Sequence, residues 1–282
     1  MDPQTYCNHK AYQSGSSFYY SFLFLPKPQK EAMLALYAYC REIDDVVDEI
    51  KDPLVASKTL SWWHDETERL FQGSPQHPVT KALFVHLQSV AWPKSLFYDL
   101  LTGMSTDLQD PYFETFQDLE RYCYCVAGSV GILSTYVFSF QNPSTLEYAK
   151  HLGTCLQLIN IVRDLGEDLR RNRVYLPEED LLHFKLSRHK LLNLEYSAKD
   201  LQPLLTLQAN RAKNFFELAM RHLSSHDRKH QKAGLIMANI YLKLLQLLEQ
   251  EKFEVLEKKI KLTPLKKLWI AWQTLRKEKK IL

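Results

Sequence analysis

Two short acidic stretches, far apart in the chain, carry the residues best suited to chemistry: Asp44-Asp45-Val46-Val47-Asp48-Glu49 and Asp164-Leu165-Gly166-Glu167-Asp168. Each holds aspartates four residues apart inside a segment of helical apolar periodicity. On a helix such residues share a face with Cβ atoms about 5–6 Å apart, and like charges there weaken the helix. Local structure therefore gives no reason for either pair. Carboxylates at this spacing suit a hard divalent cation that keeps part of its water shell and takes further oxygens from a phosphate. Two such rows facing each other would hold a diphosphate among Mg²⁺ ions.

The neighbours of each pair extend the pattern. Tyr37, Arg41, Asp44 and Asp48 fall at i, i+4, i+7 and i+11. Arg41 could take a phosphate oxygen or pair with Asp44 or Asp45; a solvated helix face with an internal ion pair is the alternative. Gln157, Asn160, Asp164 and Asp168 fall at i, i+3, i+7 and i+11, flanked by Arg163 and Glu167. Leu156, Leu158, Ile159, Ile161, Val162 and Leu165 surround that second row. A polar stripe in so apolar a helix must meet water or line a site.

Other segments are less specific. Gly128 and Gly131 follow Tyr122-Cys123-Tyr124 in a helical pattern, where each costs about 1 kcal/mol relative to Ala. Either another helix packs closely there or an open space lies beside the backbone. Ser16 and Ser17 could donate to a phosphate, and Phe18 and Phe22 share a helical face that could present π-faces to a cation. A helix cap followed by core aromatics explains them equally well. His222, His226 and His230 have a spacing a metal could use, but Arg221, Asp227, Arg228 and Lys229 among them favour a solvated surface. From Lys252 to Lys280 the chain has ten Lys/Arg against Glu254, Glu257 and Glu278. Leu265, Leu268, Trp269, Trp272 and Leu275 form an apolar stripe there, either docked on the body or meeting an anionic membrane surface.

The elements that must position these residues are helices. Prolines punctuate 3.6-residue apolar patterns near 28–50, 54–72, 79–91, 93–108, 115–140, 144–170, 178–194, 203–225, 229–256 and 264–279. Strand-like alternation is nearly absent; Arg173-Val174-Tyr175-Leu176 could be extended. With 282 residues, 45% hydrophobic, and no linker or repeat, the chain reads as one all-α domain with room for an apolar cavity. Only 8 glycines argue against a glycine-loop nucleotide fold, and a net charge of +3 gives no sign of nucleic-acid binding. Cys7, Cys40, Cys123, Cys125 and Cys155 lack zinc spacing and read as reduced core thiols of a cytoplasmic protein. No signal pattern opens the chain, and no apolar run reaches the ~18 residues of a membrane span.

Taken together, Tyr37-x-x-x-Arg41-x-x-Asp44-Asp45-x-x-Asp48-Glu49, Tyr122-Cys123-Tyr124-x-Val126-Ala127-Gly128-x-Val130-Gly131 and Gln157-x-x-Asn160-x-x-Arg163-Asp164-x-x-Glu167-Asp168 resemble the squalene/phytoene synthase family, in order from about Tyr6 to Trp272. Ser14-Gly15-Ser16-Ser17-Phe18, Pro75-Gln76-His77-Pro78 and Arg173-Val174-Tyr175-Leu176-Pro177 look like its bacterial presqualene diphosphate synthases of the hopanoid pathway. The resemblance implies an all-α isoprenoid synthase fold, a helical bundle around a central cavity that takes two molecules of farnesyl diphosphate. It implies Mg²⁺, with Mn²⁺ as a substitute, on Asp44, Asp48, Asn160, Asp164 and Asp168. Arg41, Tyr37, Gln157, Asn160 and Arg163 would hold diphosphate, Tyr122 would sit by the departing group, and Ser17 and Tyr241 near phosphate. NADPH is not expected for the first half-reaction. Where many relatives have an arginine, this chain has Lys259-Ile260-Lys261-Leu262, and lysine lacks the bidentate fork. Squalene, dehydrosqualene or phytoene formation, and a catalytically silent scaffold, are the alternatives. A monomer or weak dimer is expected, with peripheral contact at the inner membrane face through the basic C-terminal helix.

Overall fold

The computed structural model describes residues 1–14 and 17–281, with side chains as far as Lys279. The helices in chain order are α1 (Pro3–Gln13), α2 (Ser17–Phe22), α3 (Lys27–Glu49), α4 (Pro53–Phe71), α5 (Pro78–Leu87), α6 (Lys94–Leu108) and α7 (Phe116–Cys123). A π turn (Tyr124–Gly128) joins α7 to α8 (Ser129–Phe138). Then come α9 (Ser144–Arg170), α10 (Glu178–His183), α11 (Arg188–Leu192), α12 (Ala198–His222), α13 (Ser225–Arg228), α14 (Lys232–Gln250) and α15 (Pro264–Ile281). No strand occurs among the described residues, and Arg173–Leu176 is irregular.

Several boundaries differ from expectation for local reasons. The segment read as 115–140 is interrupted by the π turn. Tyr122, Val126, Val130, Ser134 and Phe138 form an every-fourth-residue row lining the interior hollows. In a regular helix such a row drifts about 40° per step. The wider turn absorbs part of that drift. Pro203 does not open α12: Ser197 and Asp200 cap each other's backbone N–H groups, starting the helix five residues earlier. The pattern near 178–194 divides into α10 and α11, and that near 229–256 becomes α14, which starts at Lys232 and stops at Gln250. Asp2, ahead of Pro3, caps a first helix that the apolar pattern did not reveal.

Two buried clusters form the core. One gathers α9, α12 and α14; the other gathers α1, α3, α4, α5 and α6. Phe18, Val126 and Ile132 touch both. α9 crosses the π turn so closely that a Cβ on Gly153 would lie 2.4 Å from the Ala127 carbonyl oxygen. One on Gly131 would lie 2.5 Å from that of Ala149. Close packing therefore accounts for the glycines of this region. Gly166 of α9 is pressed likewise against the segment after α14, 2.4 Å from the Val255 oxygen.

At the C-terminus the docked face of α15 is Ile270, Ala271, Thr274 and Glu278. Of the stripe seen in the sequence, Leu265, Leu268, Trp269 and Trp272 face outward, while Leu275 is half-buried against the core. The three histidines are not on one helix: His222 ends α12 beside Ser144, His226 is in α13 and His230 follows it.

Because the atoms opposite Gly153 are backbone, they cannot swing aside. Gly153→Ala should lower stability by about 1–3 kcal/mol in urea unfolding, despite alanine's better helix propensity. An unchanged midpoint would show that α9 and the π turn are not in the contact described.

Candidate functional site

α3 and α9 turn their polar rows toward each other. Tyr37, Arg41, Asp44 and Asp48 from α3 and Gln157, Asn160, Asp164 and Asp168 from α9 all line one polar chamber of about 620 Å³. Ser17, Phe18, Tyr122, Arg163 and Tyr241 share its wall. Phe22 lies deeper, and Ser16 falls outside the described residues. Asp45 points away from the chamber and pairs with Lys10 of α1 at 2.8 Å, leaving Asp44 and Asp48 to face inward.

Cations lie between the carboxylates. Arg41 bridges Asp44 and Asp45. Arg163 Nε donates to Asp164 Oδ1 at 2.8 Å, and Lys259 Nζ sits 3.2 Å from Asp164 and 2.7 Å from Glu167. Lys259 is thus paired with the second acidic row. Arg173 Nη1 donates to Asp48 Oδ1 at 2.8 Å, while its Nη2 donates to the Val47 carbonyl. Arg171 reaches Asp48 at 3.0 Å and Glu167 at 3.3 Å, joining the two rows directly. These arginines owe their place to how α9 ends. Asn172 adopts a left-handed φ of 60°, the Arg173 N–H donates to the Asp168 carbonyl and the Asn172 N–H to that of Leu169. That is a helix stop that folds the chain back over its last turn. The sequence pointed to Arg173 only within the 173–177 motif, with no role at the site, and not to Arg171; asparagine within Arg170-Arg171-Asn172-Arg173 was the available signal.

The reading also passed over Asp107, which α6 brings to the chamber wall. The Tyr122 hydroxyl donates to both its oxygens at 3.0 Å and the Tyr175 hydroxyl to Oδ1 at 2.8 Å. The two phenol rings stack with centroids 5.4 Å apart. Nothing in the spacing of α6 ties a single acid to residues fifteen and sixty-eight positions away.

Burial dominates the electrostatics. It pushes Asp44 up to about 6 against the pull of Arg41, and Asp107 up to about 7 against its two tyrosine hydrogen bonds. Burial, with Asp164 nearby, pushes Asp168 up to about 8. Burial acts on Asp164 in the same sense, but Arg163 and Lys259 outweigh it and hold this carboxyl below its ordinary value. Crowded, desolvated carboxylates of this kind favour a cation. The buried Asn160 Oδ1 has no hydrogen-bond partner, while its Nδ2 donates to Gln157. An orphaned oxygen on the wall of an acidic chamber suits a hard metal ion. Among the described residues no three His, Cys, Asp or Glu side chains already form a metal cage. An ion here would therefore complete its shell with water or phosphate oxygens, as Mg²⁺ commonly does.

Beyond the chamber an apolar cavity of about 220 Å³ runs along the seam of the two cores. Met33, Leu36 and Leu100 line it from one side, Leu152, Leu156 and Met237 from the other. Phe18, Tyr37, Arg41, Asp44, Gln157 and Asn160 belong to both walls, so the two hollows adjoin. The rings of Phe18 and Phe22 approach Tyr37 at 6.0 and 6.2 Å.

Residues 11–266 match the model of the squalene/phytoene synthase family. The chain is 32% identical to 15-cis-phytoene synthase of Synechococcus elongatus, over 90% of this chain and 86% of the relative. It is likewise 32% identical to presqualene diphosphate synthase of Rhodopseudomonas palustris, covering 94% and 95%. A crystal structure of a dehydrosqualene synthase superposes with a TM-score of 0.87 at 28% identity, covering 99% of this chain and 97% of the other.

The carboxyl shifts make stability depend on pH. Asp44, Asp107 and Asp168 titrate in the folded protein near 6, 7 and 8, against about 4 when unfolded. The folded state then holds more protons across that window, so its stability falls as pH rises through it. The melting temperature of metal-free protein should decline from about pH 5.5 to about pH 8.5, and Asp107→Asn should flatten the decline. A flat or rising profile in the parent protein would refute the crowding described.

Proposed function

The chain belongs to the squalene/phytoene synthase family, and we propose that it catalyses Mg²⁺-dependent head-to-head condensation of two farnesyl diphosphates to presqualene diphosphate. The observation that carries this reading is a chamber lined by two carboxylate rows that shares a wall with an apolar cavity. A diphosphate needs the first part and a C15 chain the second.

Asp44, Asp48, Asn160, Asp164 and Asp168 would hold the metal. When bound, Mg²⁺ would neutralise charge developing on a departing diphosphate. Arg41, Arg163 and Gln157 would orient phosphate oxygens; guanidinium forks suit this task. Loss of diphosphate from one substrate leaves an allylic cation, which water would trap as an alcohol. Phe18, Phe22 and Tyr37 surround the mouth of the cavity with π-faces that stabilise positive charge and exclude water. The alkene of the second substrate then forms the new carbon–carbon bond, and loss of a proton closes a cyclopropane. The released diphosphate accepts that proton beside Tyr122. The second diphosphate stays on the product, and no step so far consumes NADPH.

All four aspartates of the two rows are present, which favours an enzyme over a silent scaffold.

Incubation of the purified protein with farnesyl diphosphate and Mg²⁺, without NADPH, should give presqualene diphosphate by mass spectrometry. A C30 hydrocarbon, or turnover confined to the C20 substrate, would overturn the product assignment. Asp44→Asn and Asp164→Asn should each lower kcat at least about a hundredfold with an unchanged helical CD signal. Retained activity in either would remove the metal role.

A further inference from the structure

α15 is apolar on two opposite faces. Ile270, Ala271 and Thr274 are buried against the body. On the other face Leu265, Leu268, Trp269 and Trp272 stand at i, i+3, i+4 and i+7, with Leu265 79%, Trp269 55% and Trp272 49% exposed. A helix that only covered the body would not need this second stripe, and contiguous exposed apolar surface marks an interaction site. Leu23 and Phe24, also exposed, follow α2, the helix packed beside α15.

The charges around the stripe indicate its partner. Lys266, Lys267, Arg276, Lys277 and Lys279 lie on α15. Its one acid, Glu278, is buried and paired with Arg228 at 2.6 and 2.9 Å, so it neutralises nothing outside. Arg276 stacks on Trp272 with its guanidinium carbon 4.7 Å from the ring, and Lys267 lies over Tyr20. Tryptophan and leucine flanked by Lys and Arg match the boundary between acyl chains and anionic headgroups. A dimer formed through this face would set the same basic helix against its own copy, and like-charge juxtaposition is unfavourable.

We propose that the outward face of α15 seats the protein on an anionic lipid bilayer, with Leu265, Leu268, Trp269 and Trp272 in the interface and the exposed Lys266, Arg276, Lys277 and Lys279 on the headgroups. Among the described residues no helix is long and apolar enough to cross a membrane, so the attachment is peripheral. Lys267 turns the other way, over Tyr20 and into the wall of the polar chamber.

The test is flotation of the full chain with vesicles, without substrate or metal, which makes it independent of the proposed reaction. Phosphatidylcholine vesicles containing a minority of phosphatidylglycerol should carry the protein, and pure phosphatidylcholine should carry much less. Trp269→Ser/Trp272→Ser should weaken binding roughly tenfold while the helical CD signal stays unchanged. Lys266→Ala/Lys277→Ala should lose about fivefold per charge on anionic vesicles, and raised salt should do the same to the parent. Absence of flotation would overturn the proposal, as would binding indifferent to both variant pairs. So would size-exclusion data in which the tryptophan pair abolishes a dimer while lipid binding is absent.

Discussion

The site depends on one electrostatic constraint: two rows of carboxylates face each other across a partly desolvated chamber. Unscreened, they would repel and push α3 and α9 apart. The fold holds them with guanidinium and ammonium groups set between the rows. Asp48 has two arginines, Asp164 an arginine and a lysine, and Asp44 shares Arg41 with Asp45. Compensation is incomplete, since Asp44 and Asp168 still hold their protons far above the usual carboxylate range. The chamber therefore has capacity for further positive charge beside donors that suit phosphate. Arg171 and Arg173 are neutralised chiefly by acids that a metal would compete for, so the same side chains could turn to an incoming anion.

α9 meets two opposite demands along one helix. Toward its start, Gly153 lets backbone approach backbone at the π turn, fixing the angle at which the helix runs. Farther on, every third or fourth residue is polar and faces the chamber, while the rest of the surface is buried. Near its end Gly166 admits the segment after α14, which brings Lys259 and Lys261 to the chamber wall. The glycines thus belong to the site indirectly: each sets a helix position from which a charged side chain reaches inward.

Both rows and the helices bearing them were legible in sequence, because period and composition spoke together there. A polar stripe within an apolar 3.6-residue pattern has few structural explanations. The remaining contributors depend on tertiary placement. Asp107 carries no motif, and the 173–177 motif that holds Tyr175 gives that phenol no role; they matter because α6 and the irregular segment after α9 converge on Tyr122. Arg171 and Arg173 follow from a left-handed asparagine whose effect is to reverse the chain. α1 was missed because its exposed polar residues mask any apolar period, and the start at Pro203 because a capping box outweighed a proline. Four residues of the stripe on α15 share an outward face and Leu275 turns to the core, because period alone does not say which apolar face a helix docks.

On the proposed reaction, the polar chamber and the apolar cavity are two solvents for opposite charges. Negative charge develops where carboxylates, and the metal they would hold, neutralise it. Positive charge develops on hydrocarbon only a few ångströms away, where any water or free base would end the reaction early. Asn160, Gln157, Arg41 and Tyr37 stand on both walls and form the boundary between these media. The Tyr122 hydroxyl lies on the polar side, and its proton is directed at Asp107 rather than toward the cavity. Burial keeps that phenol neutral, its ionisation raised well above the ordinary value, so it offers no strong base to the cation. A carboxylate in the same position would quench the intermediate. A phenol anchored from behind by Asp107 leaves the departing diphosphate as the base within reach.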